Sequence, residues 1–265
     1  MTTTKMMRRL SLAAAACVTA GALSVGMAAA QSCDGASIRS GGSSAPQSQS
    51  KFDTALGNVA RLQYPRASNT CLSGGSVASR YVSGRYYVSN RNLIFNIPKR
   101  SGWGSKDLRM ELRGNTFGVT SSSRASYRTL RIKFKAPQMN DSDHSDRFSV
   151  GQLFAENYGE DAAKLTVNNG RLEINYNDGA SKRDLGAAPR SGFKEVTMTF
   201  RRNRSGSTRS NAIVVRYDGK TFNIPLSRKY YNSTSDRLYF KTGCYLQDKD
   251  NKKCRVEMSS IRLDD

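Results

Sequence analysis

Three short stretches of this chain place functional side chains two residues apart, where a β-strand would turn them all to one face. Arg109, Glu111 and Arg113 alternate through Leu108 to Arg113. Gln152 and Glu156 share a face of the run from Phe148 to Glu156, with Phe154 between them. Lys241, Tyr245 and Gln247 share a face of Leu238 to Gln247. Side by side, these strands would line one surface with guanidinium, amide, ammonium and phenol groups. A guanidinium fork suits an anionic group, and a phenol can carry a proton.

The elements that must hold them read as β throughout. Short runs rich in Tyr, Val, Ile and Phe are separated by the turn signals Ser83-Gly84, Asn169-Gly170, Asp178-Gly179 and Asp218-Gly219. Leu130, Ile132 and Phe134 alternate with Arg131, Lys133 and Lys135, and Leu172, Ile174 and Tyr176 alternate with Arg171, Glu173 and Asn175. Strands with one apolar and one wet face fit antiparallel sheets packed as a sandwich. The expected core includes Leu112, Ile132, Phe134, Leu172, Ile174, Val214, Phe240 and Ile261. A short helical pattern is read over Phe52 to Leu62, and neither an internal repeat nor a second domain boundary is visible.

The ends and the composition narrow the function classes. Lys5, Arg8 and Arg9 precede an Ala-rich apolar run, Leu10 to Met27, and Ala28-Ala29-Ala30 offers small residues before Gln31. Residues 1–30 therefore read as a signal peptide, 31–50 as a flexible Ser- and Gly-rich segment, and 51–265 as one domain. Export to the periplasm or the exterior is expected, without stable membrane association. The sequence holds 42 basic residues against 21 acidic ones, and only three of the basic ones lie in the leader. Such an excess implies a polyanionic partner that the field steers and concentrates. Four cysteines follow the leader, which allows three pairings. The turn-like Asp248-Lys249-Asp250-Asn251 between Cys244 and Cys254 favours a local bridge there, leaving Cys33 with Cys71. The cysteine spacing and the single histidine do not suit zinc. Asp141, Asp143 and Asp146 lack the glycine and distal glutamate of an EF-hand, so no metal or cofactor is expected. Export, disulfides and the lack of a stacking-aromatic motif argue against nucleic acid.

Arg109-Met110-Glu111-Leu112-Arg113 resembles the R-x-E-L-R signature of alginate lyases of polysaccharide lyase family 7. Gln152-Leu153-Phe154 stands in the place of that family's Q-(I/V)-H segment. Tyr239-Phe240-Lys241-Thr242-Gly243-Cys244-Tyr245-Leu246-Gln247 is similar to its Y-F-K-A-G-x-Y-x-Q strand. The order and separations agree, and Cys254 to Leu263 resembles the family's last strand. The resemblance implies an all-β jelly roll of two antiparallel sheets whose concave face binds a polyuronate and eliminates across C4 and C5 of a uronate unit. It implies that Arg109 and Gln152 neutralise the C6 carboxylate, since a proton next to an ionised carboxylate is very weakly acidic. It further implies that Tyr245 gives or takes protons at C5 and O4.

The chain departs from the family at Phe154, where a histidine is usual. In mannuronate and glucuronate the C5 hydrogen and C4 oxygen lie on one side of the ring, so one group can take the proton and return it. In guluronate they lie on opposite sides. Phe154 thus favours syn elimination of a mannuronate-rich polymer with Tyr245 in both roles. A glucuronate polymer is the alternative substrate, and a non-catalytic acidic-polysaccharide-binding protein is the alternative class. At a reference pKa of about 10, roughly one phenol in a thousand is ionised at pH 7. Lys241 and Arg113 are the cations expected to ease that ionisation, with an alkaline activity optimum as the consequence. Glu111 is expected to hold an arginine in place, and Gln247 and Glu156 to line the substrate path. His144, in the polar Asn140 to Asp146 stretch, is read as a solvated loop residue and as the alternative base. A monomer is expected.

Overall fold

The alternation that runs through the sequence resolves into two stacked sheets. The structure, a computed structural model, describes residues 59–64, 67–71, 86–98, 109–121, 126–139, 142–204, 212–231, 233–246 and 252–264. In chain order the strands are β1 Val59–Tyr64, β2 Ala67–Cys71, β3 Tyr86–Ser89, β4 Asn92–Ile97, β5 Arg109–Gly114, β6 Phe117–Gly118, β7 Thr120–Ser121, β8 Ser126–Lys135 and β9 Arg147–Ala155. They continue as β10 Glu160–Asn168, β11 Arg171–Tyr176, β12 Ser181–Ala187, β13 Lys194–Arg204, β14 Ala212–Tyr217, β15 Lys220–Pro225, β16 Arg237–Leu246 and β17 Cys254–Asp264. One sheet runs β12-β11-β10-β9-β16-β5-β1-β2, with β6 beside β16; the other runs β15-β14-β13-β8-β17-β4-β3, with β7 beside β13. Pairing along both paths is antiparallel, which makes this the expected jelly-roll sandwich.

The core lies between the sheets. Leu112, Ile132, Phe134, Leu172, Ile174, Phe240 and Ile261 are buried there as expected. Val214 is not among them: Ile213 and Val215 fill the core, while Val214 turns outward and is half-buried. The run Ala212 to Val215 is apolar without a break, so it carries no parity of its own, and a one-residue slip exchanges the two faces. Residues 59–62, the end of the expected helical pattern, are strand, because β1 pairs with both β5 and β2. Backbone pairing outweighs the weak local periodicity; the rest of that pattern lies outside the described residues. The hairpin glycines behave as read. Asn169-Gly170, Asp178-Gly179 and Asp218-Gly219 all adopt positive φ, the conformation that joins twisted strands tightly. Ser83-Gly84 lies outside the described residues.

Cys244 on β16 and Cys254 on β17 form a disulfide with Cα atoms 6.6 Å apart, tying the first sheet to the second. Residues 1–50, with the leader, the flexible segment and Cys33, lie outside the described residues, as does the Cys71 side chain, so the second expected bridge is not described.

Candidate active site

The three motif strands are immediate neighbours. β16 lies at the centre of the first sheet with β9 on one side and β5 on the other. Lys241 is opposite Arg113 on β5 and Gln152 on β9; Gly243 is opposite Glu111, and Tyr245 is opposite Arg109. Met110, Leu112, Leu153, Phe240 and Cys244 point into the core, so alternation turns Arg109, Glu111, Arg113, Gln152, Phe154, Lys241 and Tyr245 to the other face.

Much of this face is shielded from water. Glu111, Gln152 and Lys241 are each at most 3% exposed, and Arg113 is 8% exposed. Gln152 Nε2 donates to Glu111 Oε1 at 2.7 Å. Glu111 Oε2 is buried without a hydrogen-bond partner, a state that costs about 1–3 kcal/mol. Burial raises the Glu111 carboxyl above the usual carboxylate range, against the pull of Lys241 and Arg109. Burial likewise lowers the Lys241 ammonium, with Glu111 opposing. Glu111 thus accepts from the Gln152 amide and fixes which way that amide points, while Arg109 also acts on it electrostatically.

Arg113 is committed elsewhere. Its Nη2 donates to Glu156 Oε1 at 2.7 Å and to Thr116 Oγ1 at 3.2 Å, and its Cζ sits 3.7 Å from the Tyr239 ring centre. The cation against Tyr245 is Arg109, whose Cζ lies 5.0 Å from the ring centre. This corrects the expectation that Arg113 serves the phenol: register places Arg109, not Arg113, opposite Tyr245. Phe154 packs on Tyr239 at 5.3 Å between ring centres, and Lys241 Nζ lies 4.0 Å from the Phe154 ring centre. Desolvation pushes the Tyr239 phenol up to about 12, so Tyr239 remains protonated through the neutral range.

His144 is not a solvated loop residue. It is 7% exposed, and it forms a β-bridge with Lys253 just before β17. Ser145 N donates to Lys253 O at 2.8 Å, and Lys253 Nζ to Asp143 Oδ2 at 3.1 Å. The polar residues of the stretch serve this anchoring as well as solvation, which their composition does not reveal. Gln247 lies outside the described residues.

A family model described as alginate lyase matches residues 60–265. The chain belongs to the alginate lyase family. It is a polysaccharide lyase. Among solved structures it is similar to alginate lyase A1-II′, a member of polysaccharide lyase family 7, at 18% identity and a TM-score of 0.57, covering 78% of this chain and 94% of that one. It is similar also to alginate lyase AlyC3 at 15% identity and a TM-score of 0.57, covering 83% and 94%. The alginate lyase AlyA1 from Zobellia galactanivorans matches at 15% and 0.53, covering 78% and 95%. At these identities the likeness is one of fold. A search of curated proteins finds no match.

Sequence reasoning overlooked two parts of the lyase's site. Lys164 on β10 is opposite Gln152 and donates to Asp161 Oδ2 at 2.7 Å. Both residues act electrostatically on Glu111, and the Lys164-Leu165-Thr166-Val167 alternation carried a signal for the first of them. Ser149 is opposite Tyr245 across a bulge in the β9–β16 pairing. A bulge shifts parity locally, and nothing in the sequence marks it.

Proposed function

We propose that this lyase is exported and cleaves mannuronate-rich alginate by syn β-elimination, with Tyr245 as both base and acid. The observation that carries the reading is the pairing of Tyr245 with Arg109, which sets a phenol against a guanidinium on the functional face. Arg109 and Gln152 bind the C6 carboxylate and so stabilise the charge that develops as C5 is deprotonated. The Tyr245 phenolate takes the C5 proton, and the C5–H electron pair forms the C4–C5 double bond. The C4–O4 bond breaks, and the proton passes from Tyr245 to the departing O4, which restores the phenolate. Phe154, packed between Tyr239 and Lys241, cannot move a proton, which supports a single-carrier path.

The substrate class rests on related chemistry. AlyC3 has been solved with dimannuronate, and A1-II′ variants with GGG and GGMG oligomers. The stereochemical argument from Phe154 selects the mannuronate side of that range. The test follows ultraviolet absorbance of the new conjugated double bond on polymannuronate, polyguluronate and glucuronan at several pH values. Polymannuronate is expected to react fastest, with an alkaline optimum. Faster cleavage of polyguluronate would overturn the syn argument, and glucuronan as the best substrate would replace the polymer while keeping it.

Two substitutions probe the carboxylate contacts. Arg109→Lys replaces a bidentate fork by a point charge and is expected to lower kcat/KM by on the order of 10²-fold; near-wild-type rates would remove Arg109 from carboxylate binding. Lys241 yields a pH signature. Burial lowers its pKa, so its positive charge is lost below the usual lysine value of about 10.4, and binding of an anionic polymer weakens as pH rises. In Lys241→Arg the charge persists past about pH 12, so the alkaline fall in kcat/KM should move upward. Coincident alkaline limbs in the two proteins would show that Lys241 does not hold substrate.

A further inference from the structure

We infer that the outer face of the second sheet carries a separate, non-catalytic binding site for the polyuronate chain. Cross-strand register assembles it. Arg262 on β17 is opposite Arg131 on β8, Arg131 is opposite Thr197 on β13, Thr197 is opposite Arg216 on β14, and Arg216 is opposite Thr221 on β15. One row crossing five strands therefore presents three guanidinium groups interleaved with hydroxyls. It borders a groove of about 410 Å³ whose lining includes Arg131, Arg216 and Thr197 together with Glu195 and the ion pair of Lys194 with Asp218 at 3.0 Å, so cations outnumber carboxylates there by three to two. A groove of that volume falls within the range of small-ligand sites.

Two of the row's charges, those of Arg131 and Arg216, are held loosely by the protein. Farther along the same face Lys135 and Arg255 share Glu257, at 3.2 and 2.9 Å. In the row itself Arg131 has only a 3.9 Å contact with Glu195, both half exposed, and exposed pairs of that kind contribute about 0–1 kcal/mol. Arg216 is exposed and forms no salt bridge among the described residues. Lys133, also exposed, lies one step along β8 from Arg131, and Tyr127 lies two steps the other way, 58% exposed. An exposed tyrosine beside cations offers a sugar ring a flat apolar surface as well as charge.

The spacing suits a polymer of charged sugars. Neighbouring strands lie about 4.8 Å apart, so Arg131 and Arg216, two strands apart, stand roughly 10 Å from each other at their backbones. A chain laid across the strands advances about one sugar per strand and brings successive carboxylates to the row. This surface and the Tyr245 face belong to different sheets, so one polymer or two can occupy both. The gain is one of effective concentration: polymer held on the second sheet supplies ends and loops to the first. The identity of the polymer rests on the proposed function, whereas the site itself rests on register and charge.

The test separates the two. In an Arg109→Ala/Tyr245→Phe background, which leaves polymer uncut and weakens the cleft's hold on carboxylates, retention is measured by electrophoresis through gels containing polymannuronate. The Arg131→Ala/Arg216→Ala double variant should bind at least about tenfold more weakly than its parent. Arg131→Lys/Arg216→Lys should retain most of the binding. Arg190→Ala/Arg228→Ala removes two exposed arginines outside the row and should also leave most of it. With Tyr245 intact, the Arg131→Ala/Arg216→Ala protein should cleave short oligomers at the wild-type rate and long polymer more slowly. Equal losses in the two alanine pairs would show that net charge, not this row, retains polymer, and would overturn the inference. Unchanged retention in Arg131→Ala/Arg216→Ala would overturn it too. If no polyuronate is cleaved by the wild type, the proposed function fails while these retention results still decide the second site.

Discussion

Tyr245→Phe is expected to lower kcat on polymannuronate by about 10⁴-fold or more, because general acid and general base terms are each worth roughly 10² to 10⁴ and the proposed mechanism puts both in one hydroxyl. The substitution keeps the ring, so Arg109 can still pack on it, and the Cys244–Cys254 disulfide beside it is untouched. Loss of rate with an unchanged unfolding midpoint would therefore report chemistry. KM should change little, since the hydroxyl acts chiefly in the transition state. His144→Ala provides the contrast. That side chain is buried beside the Lys253 bridge, so its loss should cost stability before it costs rate. If Tyr245→Phe stayed within about tenfold of wild type while His144→Ala lost activity, the histidine would be the base and the single-carrier path would fall.

What could be read in advance follows from where periodicity survives. β5 and β16 keep strict alternation beside their core residues Met110, Leu112, Phe240 and Cys244, so their functional residues were legible by spacing alone. Which strand lies beside which was not a matter of spacing: β5 and β16 are far apart in sequence, and their adjacency came from the family resemblance. Partner choice within the site was hidden for the same reason. Arg113 and Arg109 lie four positions apart on one face and look equivalent on the strand, yet antiparallel register gives one to Lys241 and the other to Tyr245. Composition misled at His144, where Asp, Ser and Asn suggested solvent, whereas Asp143 and Ser145 help dock the stretch against the start of β17. At Val214 an unbroken apolar run left the face undetermined, and pairing with neighbouring strands settled it.

Gly243→Ala should be the most damaging single-methyl change in the site. Gly243 lies between Lys241 and Tyr245, opposite Glu111, with φ at 149°, a conformation that residues with a Cβ rarely adopt. A Cβ there would stand 2.1 Å from Met110 O and 2.8 Å from Glu111 Cα. Both are backbone atoms of β5, so no side-chain rotation relieves the clash. Either β16 changes its backbone conformation or β5 moves away, and each outcome separates Arg109 from Tyr245. The expected cost is on the order of 3–5 kcal/mol, the range reached when strain and overpacking combine. That is a large part of the stability of an ordinary domain. Gly192→Ala is the control, since a Cβ there meets nothing within 4 Å. Denaturant unfolding should show a large drop in midpoint for Gly243→Ala and almost none for Gly192→Ala. Any folded Gly243→Ala protein should have lost most of its elimination rate, because the proposed carboxylate clamp, Arg109, and the proposed proton carrier, Tyr245, no longer face the same sugar. A Gly243→Ala protein within about 1 kcal/mol of wild type, with its activity intact, would mean that the β5–β16 approach is not what sets the site's geometry.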